Sequence, residues 1–172
     1  MTCAGAAGTN RIGPIGALTR QTIDWIDHAP VRISARAEST ASAARAFAVL
    51  ADHERWPEWF PSVRKVTVLG RGEGVGARRR VEIPGSRVDE EFIVWEPGAR
   101  WSFTAYEARP RFARALVEDC VLEALPDGGT AITYTMYLDP AGVLGFLMKL
   151  GVGRVRKNNT KAMQNLAARA AG

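Results

Sequence analysis

The sequence predicts an α+β fold in which a curved antiparallel sheet wraps around one long C-terminal helix, with two short helices after the first strand. Three observations carry this expectation. Between about residue 63 and residue 138, apolar and polar side chains alternate with a period of two, in runs separated by Gly-, Pro- and Asp-rich turns. Strands joined directly by turns make an antiparallel meander, because parallel strands need a long crossover. After Pro140 the period changes: Met148, Val152, Val155, Asn159, Ala162, Met163 and Leu166 recur at three- and four-residue steps, the stripe of an amphipathic helix. Between the opening elements and the meander stands ADHERWPEWFP, residues 51–61, a corner in which two prolines hold Trp56, Trp59 and Phe60 in defined places.

In chain order, residues 1–29 read as a flexible N-terminal arm and residues 30–172 as one ligand-binding domain. The arm lacks the basic stretch and unbroken apolar core of a secretory signal, although a short ordered piece at residues 18–26 could lie on the domain. Val31, Ile33, Ala35 and Ala37 alternate with Arg32, Ser34, Arg36 and Glu38 as a half-buried strand. Ser39, Thr40 and Ser42 offer caps for a helix over residues 43–50, with Ala43, Phe47 and Leu50 on one face. The aromatic corner follows. Strands are expected at residues 66–69, 75–83, 88–95, 100–106, 111–125 and 130–138, with turns at Pro84-Gly85-Ser86, Glu96-Pro97-Gly98-Ala99 and Asp127-Gly128-Gly129. One long helix is expected from residue 140 to about residue 168. It is the only large partner available to bury the sheet's apolar face.

Composition excludes several functions. The chain has 172 residues, 47% hydrophobic and 24% charged, enough for one core with a pocket. Its two cysteines, Cys3 and Cys120, form no disulfide framework, and a cytoplasmic location is expected. No segment reaches the roughly 18 apolar residues of a membrane span. Two isolated histidines, His28 and His53, argue against a metal site, and no cofactor is expected. The glycines at 70, 72, 74 and 76 lack the Lys-Ser/Thr ending of a phosphate-binding loop. Net charge is +5, but the cations form no continuous patch with stacking aromatics, so no nucleic acid is expected. Apolar residues at 143–148 beside Lys149 and Arg154 allow weak contact with anionic membranes. Oligomeric state is unknown from sequence.

The order of elements, Leu50-Ala51-Asp52 leading to Trp56-Pro57-Glu58-Trp59, Trp95-Glu96-Pro97-Gly98-Ala99-Arg100-Trp101, and Gly128-Gly129-Thr130 with Ile132-Thr133-Tyr134 resemble the START-like helix-grip superfamily (SRPBCC). That superfamily includes the polyketide cyclase/dehydrase and lipid-transport proteins and the birch-pollen-allergen-like proteins. The resemblance covers about residues 30–168. It implies a sheet gripping the C-terminal helix with an apolar tunnel between them. It also implies binding of a small apolar molecule: a lipid, a sterol-like compound, a polyketide or an aromatic. Two alternatives stand beside this: a cyclase or dehydratase acting in the same cavity, and a non-enzymatic protein-interaction or stress module. Binding is favoured over catalysis, because no Ser-His-Asp set, Cys-His pair or confidently paired carboxylates can be placed.

The expected ligand-binding residues are Trp56, Trp59, Phe92, Val94, Trp101, Phe103, Tyr134, Met136, Met148, Val152, Val155 and Asn159. Phe92 and Val94 are expected inside together, although Ile93 and Trp95 make an equally apolar opposite face. Tyr134 is the best polar handle, and Asn159 interrupts an apolar stripe where a buried amide must find a partner. Glu118 and Asp119 are adjacent on a strand, so one of them points inward, where burial would raise its pKa; a salt bridge to an arginine is the plainer expectation. These two, Tyr134, Asn159 and His53 are the weak catalytic candidates. His53 itself reads as a solvated or capping histidine. In Arg78-Arg79-Arg80, strand alternation turns Arg79 away from its neighbours, and one orientation reaches toward the core.

Overall fold

The computed structural model describes residues 16–172, apart from the side chains of Leu144, Met148 and Lys149; Cys3 and the expected Met148 contact lie outside the described residues. Strand β1 (Val31–Ser39) leads into helix α1 (Ala43–Ala51) and a 3-10 turn at His53–Glu58. Six strands follow: β2 (Lys65–Val68), β3 (Arg78–Ile83), β4 (Ser86–Glu96), β5 (Arg100–Arg109), β6 (Ala113–Ala124) and β7 (Thr130–Pro140). Helices α2 (Gly142–Leu150) and α3 (Val152–Ala171) close the chain. The sheet is antiparallel throughout, in the order β1-β7-β6-β5-β4-β3-β2. It is the expected meander, with β1 returning to pair beside β7.

Helix α3 buries Asn159, Ala162, Met163, Leu166, Ala167 and Ala170 against the inner face of the sheet, joining a core that contains Ala35, Phe92, Trp101, Phe103, Ile132 and Tyr134. Its seat on β1 is fixed by Ser39 Oγ, which donates to the Ala167 carbonyl at 2.8 Å and accepts from the Ala41 amide at 3.2 Å. The β6–β7 turn approaches so closely that a Cβ on Gly129 would stand 2.5 Å from the Ser39 carbonyl oxygen.

The single long helix expected after Pro140 is two helices. Gly151 breaks it, with a ψ of 9°, and glycine there lowers the cost of leaving helical geometry. The second departure concerns β4. The β4–β5 register shifts between Phe92 and Val94, so Phe92 pairs with Phe103 on the inner face while Val94 pairs with Ser102, which faces the other way. This bulge turns Val94 out of the expected inner set and brings in Trp95, whose ring packs edge-on against Phe92 at 4.9 Å and Phe47 at 5.4 Å.

Strands β5 and β6 pair only from Arg100/Val121 to Thr104/Val117. Beyond that they diverge, and residues 16–19 fill the gap as a wedge of backbone. Ala108 N–H donates to the Gly16 carbonyl, Leu18 N–H to the Tyr106 carbonyl and Thr19 N–H to the Arg114 carbonyl, all at 2.8–2.9 Å. Leu18 is buried among Val88, Ala105, Phe112 and Leu116. The segment continues through a 3-10 turn at Ile23–His28, with the Gln21 amide donating to Thr104 Oγ1.

Candidate functional site

The turn between β3 and β4 places two charged triplets opposite each other: Arg78 faces Glu91, Arg79 faces Glu90 and Arg80 faces Asp89. Strand alternation sends the outer two pairs away from the core and the middle pair into it. Arg79 is completely buried, and its Nε donates to Glu90 Oε2 at 2.7 Å. Its guanidinium lies 3.9 Å from the Trp56 ring centroid, 4.8 Å from Trp101, 5.2 Å from Phe103 and 5.4 Å from Phe92. Aromatic faces are negative, so this box adds cation–π attraction to the ion pair.

His53 completes the surround. It is buried, with Nε2 donating to the Gly72 carbonyl at 2.9 Å and Nδ1 accepting from Arg79 Nη1 at 3.2 Å. Its pKa is lowered to about 4, first by burial and then by the Arg79 charge, so the ring is neutral at physiological pH. The solvated histidine expected from sequence is corrected: its loop partner, Gly72, is distant in sequence and carries no recognisable signal. On the corner expected from sequence, the Trp56 and Trp59 rings lie tilted at 4.7 Å, Trp56 stacks on Phe60, and both tryptophans are 2% exposed.

Glu118 lies on the same inner face, opposite Phe103 and Met136. Its carboxyl forms no hydrogen bond with the described residues, yet the residue keeps 8% of its surface. Burial raises its pKa well above the usual carboxylate range and Glu90 raises it further; Arg79 opposes both. Glu90 is raised to about 6 by burial, offset by Arg79. The interior therefore holds an Arg79–Glu90 ion pair beside Glu118, a carboxyl that burial and Glu90 keep protonated to well above the usual carboxylate range.

Other donors face the same interior. Arg79 Nη2, Trp101 Nε1, Trp59 Nε1 and Asn159 Nδ2 are buried and find no hydrogen-bond acceptor among the described residues. Tyr134 is 1% exposed, pairs with Cys120 across β6 and packs against Phe60. Asp119, by contrast, points to the opposite face, where it accepts from Ser102 Oγ and from Arg100 Nε at 2.9 Å and Nη2 at 3.0 Å. Its carboxylate is consumed in scaffold bonds and Val94 has turned away, so neither belongs to this interior. Met136, Val152 and Val155 are half-buried. Burial also raises the Cys120 thiol, leaving it without thiolate character.

Sequence reading placed Glu118, Tyr134, Asn159, Trp101, Phe92 and Phe103 among the candidates, and the fold brings these onto one interior. It missed Arg79 and Glu90 as site residues. The signal was present: Arg-Arg-Arg at 78–80 and Asp-Glu-Glu at 89–91 are equidistant from the Pro84-Gly85 turn, so a two-strand hairpin must pair them. Two open clefts lie elsewhere, on the flanks of α1: one of about 470 Å³ bounded by Arg45, Asp52, Arg55 and Arg169, and one of about 520 Å³ bounded by Phe47, Glu73, Trp95 and Pro97. Neither touches an expected ligand residue. Among the described residues no cluster of His, Cys, Asp and Glu could hold a metal ion, and no helix is long and apolar enough to cross a membrane.

A seven-stranded antiparallel sheet curled on a C-terminal helix, with a polar group deep in its apolar interior, defines a helix-grip protein. The family described as polyketide cyclase / dehydrase and lipid transport matches residues 30–171, and the chain belongs to it. It is 36% identical over 125 residues to uncharacterized proteins of Mycobacterium tuberculosis and Mycobacterium bovis, covering 72% of this chain and 74% of theirs. Among solved structures it resembles a START superfamily protein of Mycobacterium smegmatis (TM-score 0.67, 14% identity, 80% of this chain and 97% of that one). It also resembles the Zhui aromatase/cyclase of a Streptomyces species (TM-score 0.70, 15% identity, 81% and 93%). At these identities the structural matches establish the fold.

Proposed function

We propose that this protein binds a small, largely apolar molecule bearing at least one oxygen acceptor, held between the inner face of the sheet and α3. The observation that carries this reading is the set of buried, unpaired donors: Arg79 Nη2, Trp101 Nε1, Trp59 Nε1 and Asn159 Nδ2. Leaving one such donor unpaired costs about 1–3 kcal/mol, which a carbonyl, ether or hydroxyl oxygen of a ligand recovers. Phe92, Phe103 and Tyr134 line the same interior, and half-buried Met136 keeps apolar surface there. Membership of a family whose description includes lipid transport supports the same reading.

Titration with a fluorescent fatty acid and with an aromatic ketone, each followed by native mass spectrometry, tests it. Saturable one-to-one binding is expected, weakened about three- to tenfold by Trp101→Phe, which keeps an aromatic ring and removes the N–H. Absence of saturable binding to a broad lipid and aromatic panel overturns it.

Glu118 favours a second reading, dehydration of a polyketide-like β-hydroxy ketone in the same interior. A carboxyl held protonated above the usual carboxylate range can give its proton to a departing β-hydroxyl, releasing water, and the carboxylate so formed can take the proton from the carbon next to the carbonyl. Appearance of enone absorbance from a β-hydroxy ketone, lost in folded Glu118→Gln, is the expected result. No turnover across such substrates overturns this second reading and leaves the first standing.

A further inference from the structure

Helix α2 turns its apolar side outward. Val143, Phe146, Leu147 and Leu150 are 76%, 61%, 53% and 70% exposed, and their spacing of three, four and seven residues puts them on one continuous stripe. The opposite side of the helix is clamped down: Gly145 is buried, and a Cβ there would stand 2.6 Å from the Phe112 carbonyl oxygen. The exposed stripe is therefore held outward by close backbone contact.

Charge identifies what this stripe meets. From Pro140 to Gly172 the chain has no Asp or Glu, while Arg154, Arg156, Lys157 and Lys161 follow α2 directly and are exposed. None of these four forms an ion pair with a described residue. Arg154, Arg156 and Lys157 crowd the first turns of α3, the positive end of its dipole, where cations weaken a helix and acidic residues would strengthen it. Arg111, also exposed, lies beside Phe112, whose carbonyl accepts from the Ala141 amide at the start of α2.

We infer that α2 and the basic start of α3 form a docking surface for an anionic lipid bilayer, with the apolar stripe inserted among the acyl chains and the cations at the headgroups. A nine-residue helix is too short to cross a bilayer but suits lying in its interface. A second copy of the chain is the poorer occupant, because joining two such surfaces brings two basic stripes together. This surface is independent of what the interior binds.

Flotation of the full-length protein with phosphatidylcholine vesicles, with and without phosphatidylglycerol, is the test. Partitioning is expected to be at least about tenfold stronger with phosphatidylglycerol and to weaken as salt is raised. Phe146→Ser with Leu147→Ser should reduce it about tenfold or more, and Arg154→Gln with Arg156→Gln and Lys157→Gln should remove the preference for the anionic lipid. These positions are exposed, so circular dichroism and fatty-acid titration should report an unchanged fold and interior. Equal partitioning to both vesicles, no partitioning, or a Phe146/Leu147 variant that alters only concentration-dependent self-association would each overturn the inference.

Discussion

Arg79 is charged, fully buried and bonded to one carboxylate, so its removal strands Glu90 in an apolar interior. Arg79→Met is expected to lower unfolding free energy by about 3–5 kcal/mol, whereas Arg79→Met with Glu90→Met should recover most of that loss, since a buried ion pair is close to balanced against apolar side chains of similar volume. Urea denaturation of both variants checks this. Glu118 makes stability depend on pH. Unfolded, its carboxyl loses its proton near 4.5; folded, it keeps it to well above that value. Across that window the folded state binds the extra proton, so stability falls as pH rises, by up to about 1.4 kcal/mol per pH unit. Glu90 adds to the fall between 4.5 and about 6. His53 acts oppositely: its contribution is complete above 6.5 and is lost as pH falls toward about 4. Glu118→Gln cannot ionise, so its denaturation midpoint should gain on the parent's as pH rises above 4.5. A constant difference across that range would contradict the buried, protonated carboxyl. At this scale the sequence was half legible. Adjacency of Glu118 and Asp119 meant that one turned inward, but which one depends on register, and the burial of His53 depends on a loop contact that no local pattern encodes.

Helix and strand identities were readable because each has its own period and the turns carry Gly, Pro and Asp. What escaped were interruptions one residue long. The β4 bulge leaves an apolar pattern on both faces, Phe92 and Val94 against Ile93 and Trp95, so the alternation itself could not reveal the switch. The break at Gly151 lies within a glycine-rich run where no single glycine stood out. Gly145 in that run has a defined task. Replacing it with alanine would force α2 away from Phe112 and from Pro140, whose carbonyl carbon would be 2.9 Å from the new Cβ. Gly145→Ala is expected to cost about 1–3 kcal/mol, the usual range for overpacking, and to open the α2 segment to limited proteolysis. An unchanged melting temperature with unchanged cleavage would show that α2 is not clamped there.

Across the whole molecule, the sheet is completed by a segment that precedes its first strand in the chain. The wedge at residues 16–19 supplies three backbone hydrogen bonds and a buried leucine, a contribution on the order of 4 kcal/mol. Its seat consists of Tyr106, Ala108 and Arg114, so it exists only once β5 and β6 have been made and have parted. During synthesis, then, the first of these pieces to leave the ribosome is the last able to find its place. Such a contact is expected to form after the folding barrier rather than before it. A chain lacking residues 1–21 should fold at nearly the parent rate and unfold much faster, a split that stopped-flow measurement resolves into its two limbs. The segment acts as a latch on a sheet already built, governing how long the fold lasts and hardly at all how quickly it is reached.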